Sequence, residues 1–322
     1  MKRNMAGIAV TLAVGGTCAQ AAESTYPFPR PVRIVVGFPA GGTTDIISRA
    51  MAQKLSERLG QTVLVENRPG AGSMIGSDYV AKATPDGHTL LLVSGAFGTQ
   101  AALLKKLPYD PLRDFAWITN AVTYPFAVIV KPDPRLQSIA HLIAMAKKSP
   151  GKLNYGSVGI GSVFHLAAEL FNTQANVEMT HIPYKGGAET AAELMSGRID
   201  VVFETLTGAI PHVQAGRLNA IAVTSRERVP QLPSVPTVAQ TLPGYEVSSF
   251  SGFAAPRGTP PAVITRLNRD MRAVLEMPDI RKRFTELGGT VTPTTPDEFG
   301  RHVTGEIDKW KKIATAKKIE IQ

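Results

Sequence analysis

The stretch Pro31-Val32-Arg33-Ile34-Val35-Val36-Gly37-Phe38-Pro39-Ala40-Gly41-Gly42-Thr43-Thr44-Asp45 decides the fold class. It opens on a β-branched run, passes through paired glycines, and leads into Ile46, Ile47, Ala50, Met51, Leu55 and Leu59, whose spacing of three and four is helical. A strand feeding a helix through a glycine turn is half of a βαβ unit. The strand is predicted over Val32 to Phe38. Thr44 or Asp45 opens the helix, Gly60 stops it, and Thr62 to Val65 is the next strand.

Outward from that unit the alternation continues. A helix around Met74 to Ala83 and the turn Pro85-Asp86-Gly87 precede Thr89 to Val93, a continuous apolar run suited to a sheet covered on both faces. Strands are predicted at Ala127 to Val130, Leu153 to Tyr155, Glu178 to Ile182, Val201 to Phe203 and Ala220 to Thr224, with helices between them. Pro230, Pro233, Pro236 and Pro243 then mark an irregular connection. An apolar segment at Phe250 to Ala254 follows, and after it three helices. Two βα-rich halves with a cleft between them is the economical architecture.

The 322-residue chain is 43% hydrophobic and 19% charged, which supplies core material and argues against long-range disorder. Lys2 and Arg3, the apolar run Met5 to Val14 and the small-x-small pattern Ala19-Gln20-Ala21 form a secretory signal over residues 1–21. Cys18, the sole cysteine, lies within it, so the mature chain is expected to have neither disulfides nor cysteine-metal sites. A lipid anchor on Cys18 is disfavoured because Gly15-Gly16-Thr17 lacks the branched apolar residue of such signals. The formal charge of +9 falls to +7 without Lys2 and Arg3. Nucleic acid is not the expected partner, since the basic residues are scattered and even Arg281-Lys282-Arg283 lacks an aromatic platform.

Three loops share a design in which a strand ends, glycines or small hydroxyl residues follow, and a helix begins. They are Phe38-Pro39-Ala40-Gly41-Gly42-Thr43-Thr44-Asp45, Gly156-Ser157-Val158-Gly159-Ile160-Gly161-Ser162, and Pro183-Tyr184-Lys185-Gly186-Gly187-Ala188. First-turn N–H groups have no partner inside the helix and carry the positive end of its dipole, so such loops suit an anion. The same glycines could simply make tight turns. Asp45 could be a plain N-cap. His165 could face the cleft or be a satisfied helix histidine, Lys185 could pair with a carboxylate or be solvated, and Tyr124 and Phe126 could wall the cleft or sit in the core.

Enzyme chemistry finds less support. There is no Gly-x-Ser-x-Gly elbow and no Walker loop, and the six histidines lack ligand spacing. Gly70-Ala71-Gly72-Ser73-Met74-Ile75-Gly76 misses the dinucleotide fingerprint by one residue. No cofactor is expected.

Several of these segments together resemble a known family. Pro31 to Val36 with Phe38 to Gly42 and Asp45, Glu66-Asn67-Arg68-Pro69-Gly70-Ala71-Gly72, Pro85 to Leu91, Pro183-Tyr184-Lys185-Gly186, Ala222-Val223-Thr224-Ser225, Pro233 to Ala239 and Ala255 to Pro260 are similar to the extracytoplasmic solute receptors of tripartite tricarboxylate transporters, also called Bug receptors. The resemblance implies an α/β periplasmic-binding-protein fold of the second type. Residues 22–122 with 250–322 would form the first lobe and 123–249 the second, closing around a ligand. It implies a periplasmic receptor, a monomer that captures a small carboxylate and delivers it to membrane transporter subunits, without catalysis. A ligand-presenting sensor and a secreted α/β enzyme acting on a small anion are the alternatives. Main-chain groups and waters at the first loop would hold the carboxylate, with Ser94 as a further contact. Relatives carry an aspartate in the middle section where Asp200-Val201-Val202-Phe203 is here followed by Glu204, whose longer side chain would change the pocket floor if it points inward.

Overall fold

The computed structural model describes residues 30–319. The predicted signal segment lies outside the described residues.

Ten strands and ten α-helices alternate along the described residues. The first half of the sheet is β2 (Val63–Asn67), β1 (Val32–Val36), β3 (Thr89–Ser94) and β9 (Ser248–Pro256), in that order, followed by the start of β4 (Phe115–Val130). β1 is parallel to β2 and β3, whereas β9 runs antiparallel to β3 and β4. The second half continues from β4 through β7 (Val201–Thr205) and β5 (Asn154–Ser157) to β6 (Thr180–Pro183), with β8 (Asn219–Val223) on the other side of β4. The short β10 (Thr290–Val291) pairs with β4 at Val122 and Thr123.

Helices cover both faces of each half, which is why the strands read as unbroken apolar runs. In the first lobe, α1 (Thr43–Leu59), α8 (Pro261–Leu275) and α9 (Pro278–Glu286) bury Ile47, Met51, Leu267 and Phe284 against Ile34 and Leu90. On the opposite face, α2 (Met74–Ala81), α3 (Gly95–Leu103) and α10 (Pro296–Lys317) pack Val80, Phe97 and Phe299 on Leu91 and Phe250. In the second lobe, α4 (Ile139–Lys148) and α5 (Val163–Ala175) cover one face, while α6 (Gly187–Ser196) and α7 (Leu206–Gln214) cover the other. Each fully buried Leu, Ile or Phe contributes about 1.5–3 kcal/mol, so either lobe holds a core of its own.

The lobes are joined where β4 and the approach to β9 cross side by side. Residues Phe115 to Pro125 of β4 pair with β9, and Phe126 to Val130 pair with β7 and β8. Buried Thr224 ties the crossing: its hydroxyl donates to the Val247 carbonyl and accepts from the Phe126 N–H, and its own carbonyl accepts from the Val247 N–H.

Helix α10 departs from a simple assignment to one lobe. It starts on the first lobe with a capping box between Thr295 and Glu298, and its last turns carry Trp310, Ile313 and Ala314 into the second-lobe core beside Leu166 and Phe171.

Several sequence expectations are corrected. β1 ends at Val36, because Gly37 lies so close to Ser73 that a Cβ there would stand 2.4 Å from the Ser73 Cβ. α1 begins at Thr43 with Gly42 as its N-cap, so Asp45 is in the first turn and is not the cap. β4 begins twelve residues before the predicted strand at Ala127. Thr119, Asn120 and Pro125 mask its strand character, since proline is rare within sheets. They are accommodated locally: Thr119 donates to the Thr294 carbonyl, Asn120 donates to Thr292 Oγ1, and the ladder with β9 shifts register near both polar residues. Helix α3 was not expected from sequence at all.

Candidate functional site

Between the lobes lies a cavity of about 310 Å³. Its lining follows one rule: the strand ends and first helical residues of four βα junctions meet there. Thr43 and Thr44 belong to α1, Ser94 and Ala96 to α3, Ser162, Val163 and Phe164 to α5, and Thr205, Leu206 and Thr207 to α7. The crossing strands add Tyr124, Phe126 and Ser249 to Ser251, and the turn after α9 adds Leu287 and Gly288. Among the described residues, no Asp, Glu, Lys, Arg or His lines it. Four helix N-termini therefore provide the positive potential in a wall without formal charge.

The four junctions differ in capping. Ser162 Oγ accepts from the His165 N–H at 3.3 Å, and Thr205 Oγ1 accepts from the Gly208 N–H at 3.1 Å. Both second-lobe helices are thus capped by their own side chains. The first-lobe helices are not: Gly42 has no side chain to offer, and Ser94 makes no capping bond. Ser94 is only 6% exposed, yet its hydroxyl has no hydrogen-bond partner among the described residues. A buried hydroxyl left unpaired costs roughly 1–3 kcal/mol, so this group is poised for a ligand. Burial raises the Tyr124 phenol pKa, with Ser251 opposing, and keeps the group a donor.

The Phe38 loop is shaped by Asp45. Its Oδ2 accepts from the Gly41 N–H at 3.0 Å and from Arg49 Nε at 2.8 Å, and its Oδ1 accepts from Asn67 Nδ2 at 2.9 Å. Asn67 Nδ2 also donates to the Phe38 carbonyl at 3.1 Å. The hydrogen bond from Arg49 leads the effects that hold the Asp45 carboxyl down at about 2. Its negative charge is therefore matched before any anion arrives.

Of the residues singled out in the sequence, Phe38, Ser94 and Ser162 line the cavity together. Pro39, Ala40, Gly41 and Gly42 form an exposed lip beside it. Ser157 is buried, with its hydroxyl at 2.7 Å from His181 Nε2 and 3.0 Å from the Gly159 carbonyl. Gly161 donates its N–H to His165 Nδ1 at 3.0 Å, and His165 stacks on His181 with 3.9 Å between ring centroids. His165 is thus a satisfied histidine beneath the loop. Burial lowers the pKa of His165 to about 4, and burial, then the His165 charge, does the same for His181. Tyr184 is half-buried on the second-lobe core, Lys185 is exposed, and Gly186 caps α6, all outside the cavity lining. Glu204 stands behind the wall: it is 8% exposed and accepts from the Thr205 N–H at 2.7 Å and the Thr205 hydroxyl at 3.0 Å. Burial raises its pKa, which the bonds from Thr205 oppose. Tyr124 and Phe126 are both core residues and cavity wall.

Thr205 to Thr207, Ser249 to Ser251 and Leu287-Gly288 were not foreseen from sequence. A signal existed for Thr205, which follows a strand and opens a helix as Thr43 does. None existed for Gly288, which reaches the cavity through tertiary contact: a Cβ there would stand 2.8 Å from that of Leu206, in the other lobe. Nearby, Gln231 donates across the lobes to the Thr285 carbonyl at 2.9 Å.

The model of the tripartite tricarboxylate transporter family receptor, TctC, matches residues 47–319. Protein BugT of Bordetella pertussis is 34% identical over 316 residues, covering 97% of this chain and 97% of BugT. The solved structure of R. palustris Rpa4515 with adipate is 35% identical with a TM-score of 0.78, covering 92% of this chain and 99% of that one. The structure of the periplasmic binding protein BugD is 34% identical with a TM-score of 0.75, covering 92% and 100%. A two-lobe fold, a cavity at its seam and kinship along nearly the whole described length agree, and this chain belongs to the TctC family of tripartite tricarboxylate transporter receptors.

Proposed function

We propose that the protein is a periplasmic receptor that closes on a small carboxylate and delivers it to the membrane subunits of a tripartite transporter, acting as a monomer and without changing its ligand. Residues 1–21 serve as the export signal. Residues 22–122 with 250–322 move as one lobe against 123–249, with β4 and the approach to β9 as the hinge.

The observation that carries this reading is the convergence of helix N-termini on a cavity wall with no charged side chain. A dicarboxylate in the 35% identical Rpa4515 structure supports carboxylate as the ligand chemistry. The first-lobe junctions at Thr43-Thr44 and Ser94 hold the anion, the loop Phe38 to Gly42 forms the entrance, and Asp45 holds that loop in place. The Ser157 to Ser162 loop closes from the other side, supported by His165. Tyr184, Lys185, Gly186 and Glu204 act from behind the wall, setting the position of α6 and α7.

A thermal-shift screen of the mature protein against carboxylic acids tests the function. A ligand present at about 100 times its Kd stabilises the native state by about 2.7 kcal/mol, and the bound acid should be recovered unchanged. A screen in which no carboxylate raises the Tm, or in which the acid returns converted, rejects the reading.

A further inference from the structure

The two sides of the cavity are unequal in a way that selects among carboxylates. On the first-lobe side, α1 and α3 present first-turn amides with no capping side chain, and the unpaired Ser94 hydroxyl stands at the start of α3. Nothing negative competes there, because Asp45 is already engaged by Arg49, Asn67 and the Gly41 amide. On the second-lobe side the caps are taken by Ser162 and Thr205. The Glu204 carboxyl group, packed behind Thr205 at the start of α7, already accepts from that junction. Apart from Ser162, Thr205 and Thr207, what this side offers is apolar: Phe126, Val158, Val163, Phe164 and Leu206.

Resting on the carboxylate-receptor reading, we infer that the ligand is a monocarboxylate with an apolar body, bound with its carboxylate toward α1, α3 and Ser94 and its body against the second-lobe wall. A second carboxylate at the far end would meet Phe126, Phe164 and Leu206, where each helix terminus has already given one first-turn amide to its own cap. Burying an ionised group against a mostly apolar wall with few partners costs several kcal/mol. The carboxylate on the first lobe gains charge-assisted hydrogen bonds, which are about twice as strong as neutral ones. A cavity of about 310 Å³ sits at the lower limit of ligand clefts, as a compact acid requires.

Calorimetric titration of the mature protein with hexanoate, phenylacetate, adipate and malate tests this. Hexanoate and adipate share a six-carbon chain and differ by one carboxylate. Hexanoate or phenylacetate should bind at least about a hundredfold more tightly than adipate or malate. Ser94→Ala should weaken the monoacid about tenfold or more while leaving the ligand-free Tm close to wild type. Adipate or malate binding as well as the monoacids would overturn the inference and leave the carboxylate-receptor reading standing. Binding by none of the four, nor by any other carboxylate, would remove both. Normal monoacid affinity in Ser94→Ala would overturn the orientation proposed for the carboxylate.

Discussion

The first-lobe and second-lobe rims of the cavity are built from the same part, a strand running into a helix, yet they use it oppositely. On the first lobe the helices begin at Gly42 and Ser94 without a side-chain cap, so their amides remain available. On the second lobe Ser162 and Thr205 fold back on their own helices and each takes one first-turn amide, leaving fewer for a ligand. The difference teaches that a helix N-terminus facing a cleft is not in itself an anion seat. How many of its amides the chain has already taken matters as well.

The strongest way to break this contrast is to place the same negative charge on either rim. Ser94→Asp keeps a residue favoured at N-caps and should lower carboxylate affinity by at least about a hundredfold, about 2.7 kcal/mol, through like-charge repulsion. Ser162→Asp also preserves a cap, and titration should show a loss of less than about tenfold. Equal losses would erase the distinction.

Asp45→Ala removes the acceptor shared by Gly41, Arg49 and Asn67, and denaturant unfolding should register a loss of about 1–3 kcal/mol. The pH dependence has a definite sign. Asp45 has a folded pKa below its unfolded value, so its contribution is present above about 3.8 and lost as pH falls through about 2.

Beneath the second rim the sign comes from the other direction. His165 and His181 are held neutral, with pKa values near 4 against an ordinary 6.5. The unfolded chain binds the extra protons, so this stability is complete above about 6.5 and is lost as pH falls toward 4. The stability at pH 7 and pH 5 should differ by on the order of 3 kcal/mol, read from thermal melts, and a His165→Gln, His181→Gln double variant should flatten that slope.

The smallest effects come from exchanging caps. Thr205→Ala should cost about 1 kcal/mol of stability. Gly42→Ser meets no steric obstacle, since a Cβ there would approach only the Pro39 carbonyl at 3.9 Å. It should gain a few tenths of a kcal/mol in stability while weakening the ligand several-fold, because the new hydroxyl takes amides the ligand uses.

The strand-to-helix grammar was legible in the sequence wherever a β-branched run met glycine and a period of 3.6, as at Val32 to Leu59. It failed for β4, where Thr119, Asn120 and Pro125 find partners only in the tertiary fold, and for α3, which follows β3 with no intervening loop. In the site, Phe38, Ser94 and Ser162 could be named because hydroxyl and aromatic residues at strand ends have a local signature. Leu287 and Gly288 could not, since their place depends on two lobes meeting. The capping states were equally hidden: Ser94 and Ser162 are the same residue in the same local pattern, and only the folded geometry separates a hydroxyl turned toward its helix from one left unpaired.

The path of α10 has a practical corollary. The chain holds two tryptophans, and they occupy unlike places: Trp117 lies among first-lobe aromatics, whereas Trp310 rides the last turns of α10 into the opposite core with its indole N–H on Glu306. If the lobes rotate against each other as proposed, the surroundings of Trp310 would be strained and those of Trp117 left alone. The wild-type protein would thus carry its own optical gauge of the proposed opening, with an internal standard and no attached dye.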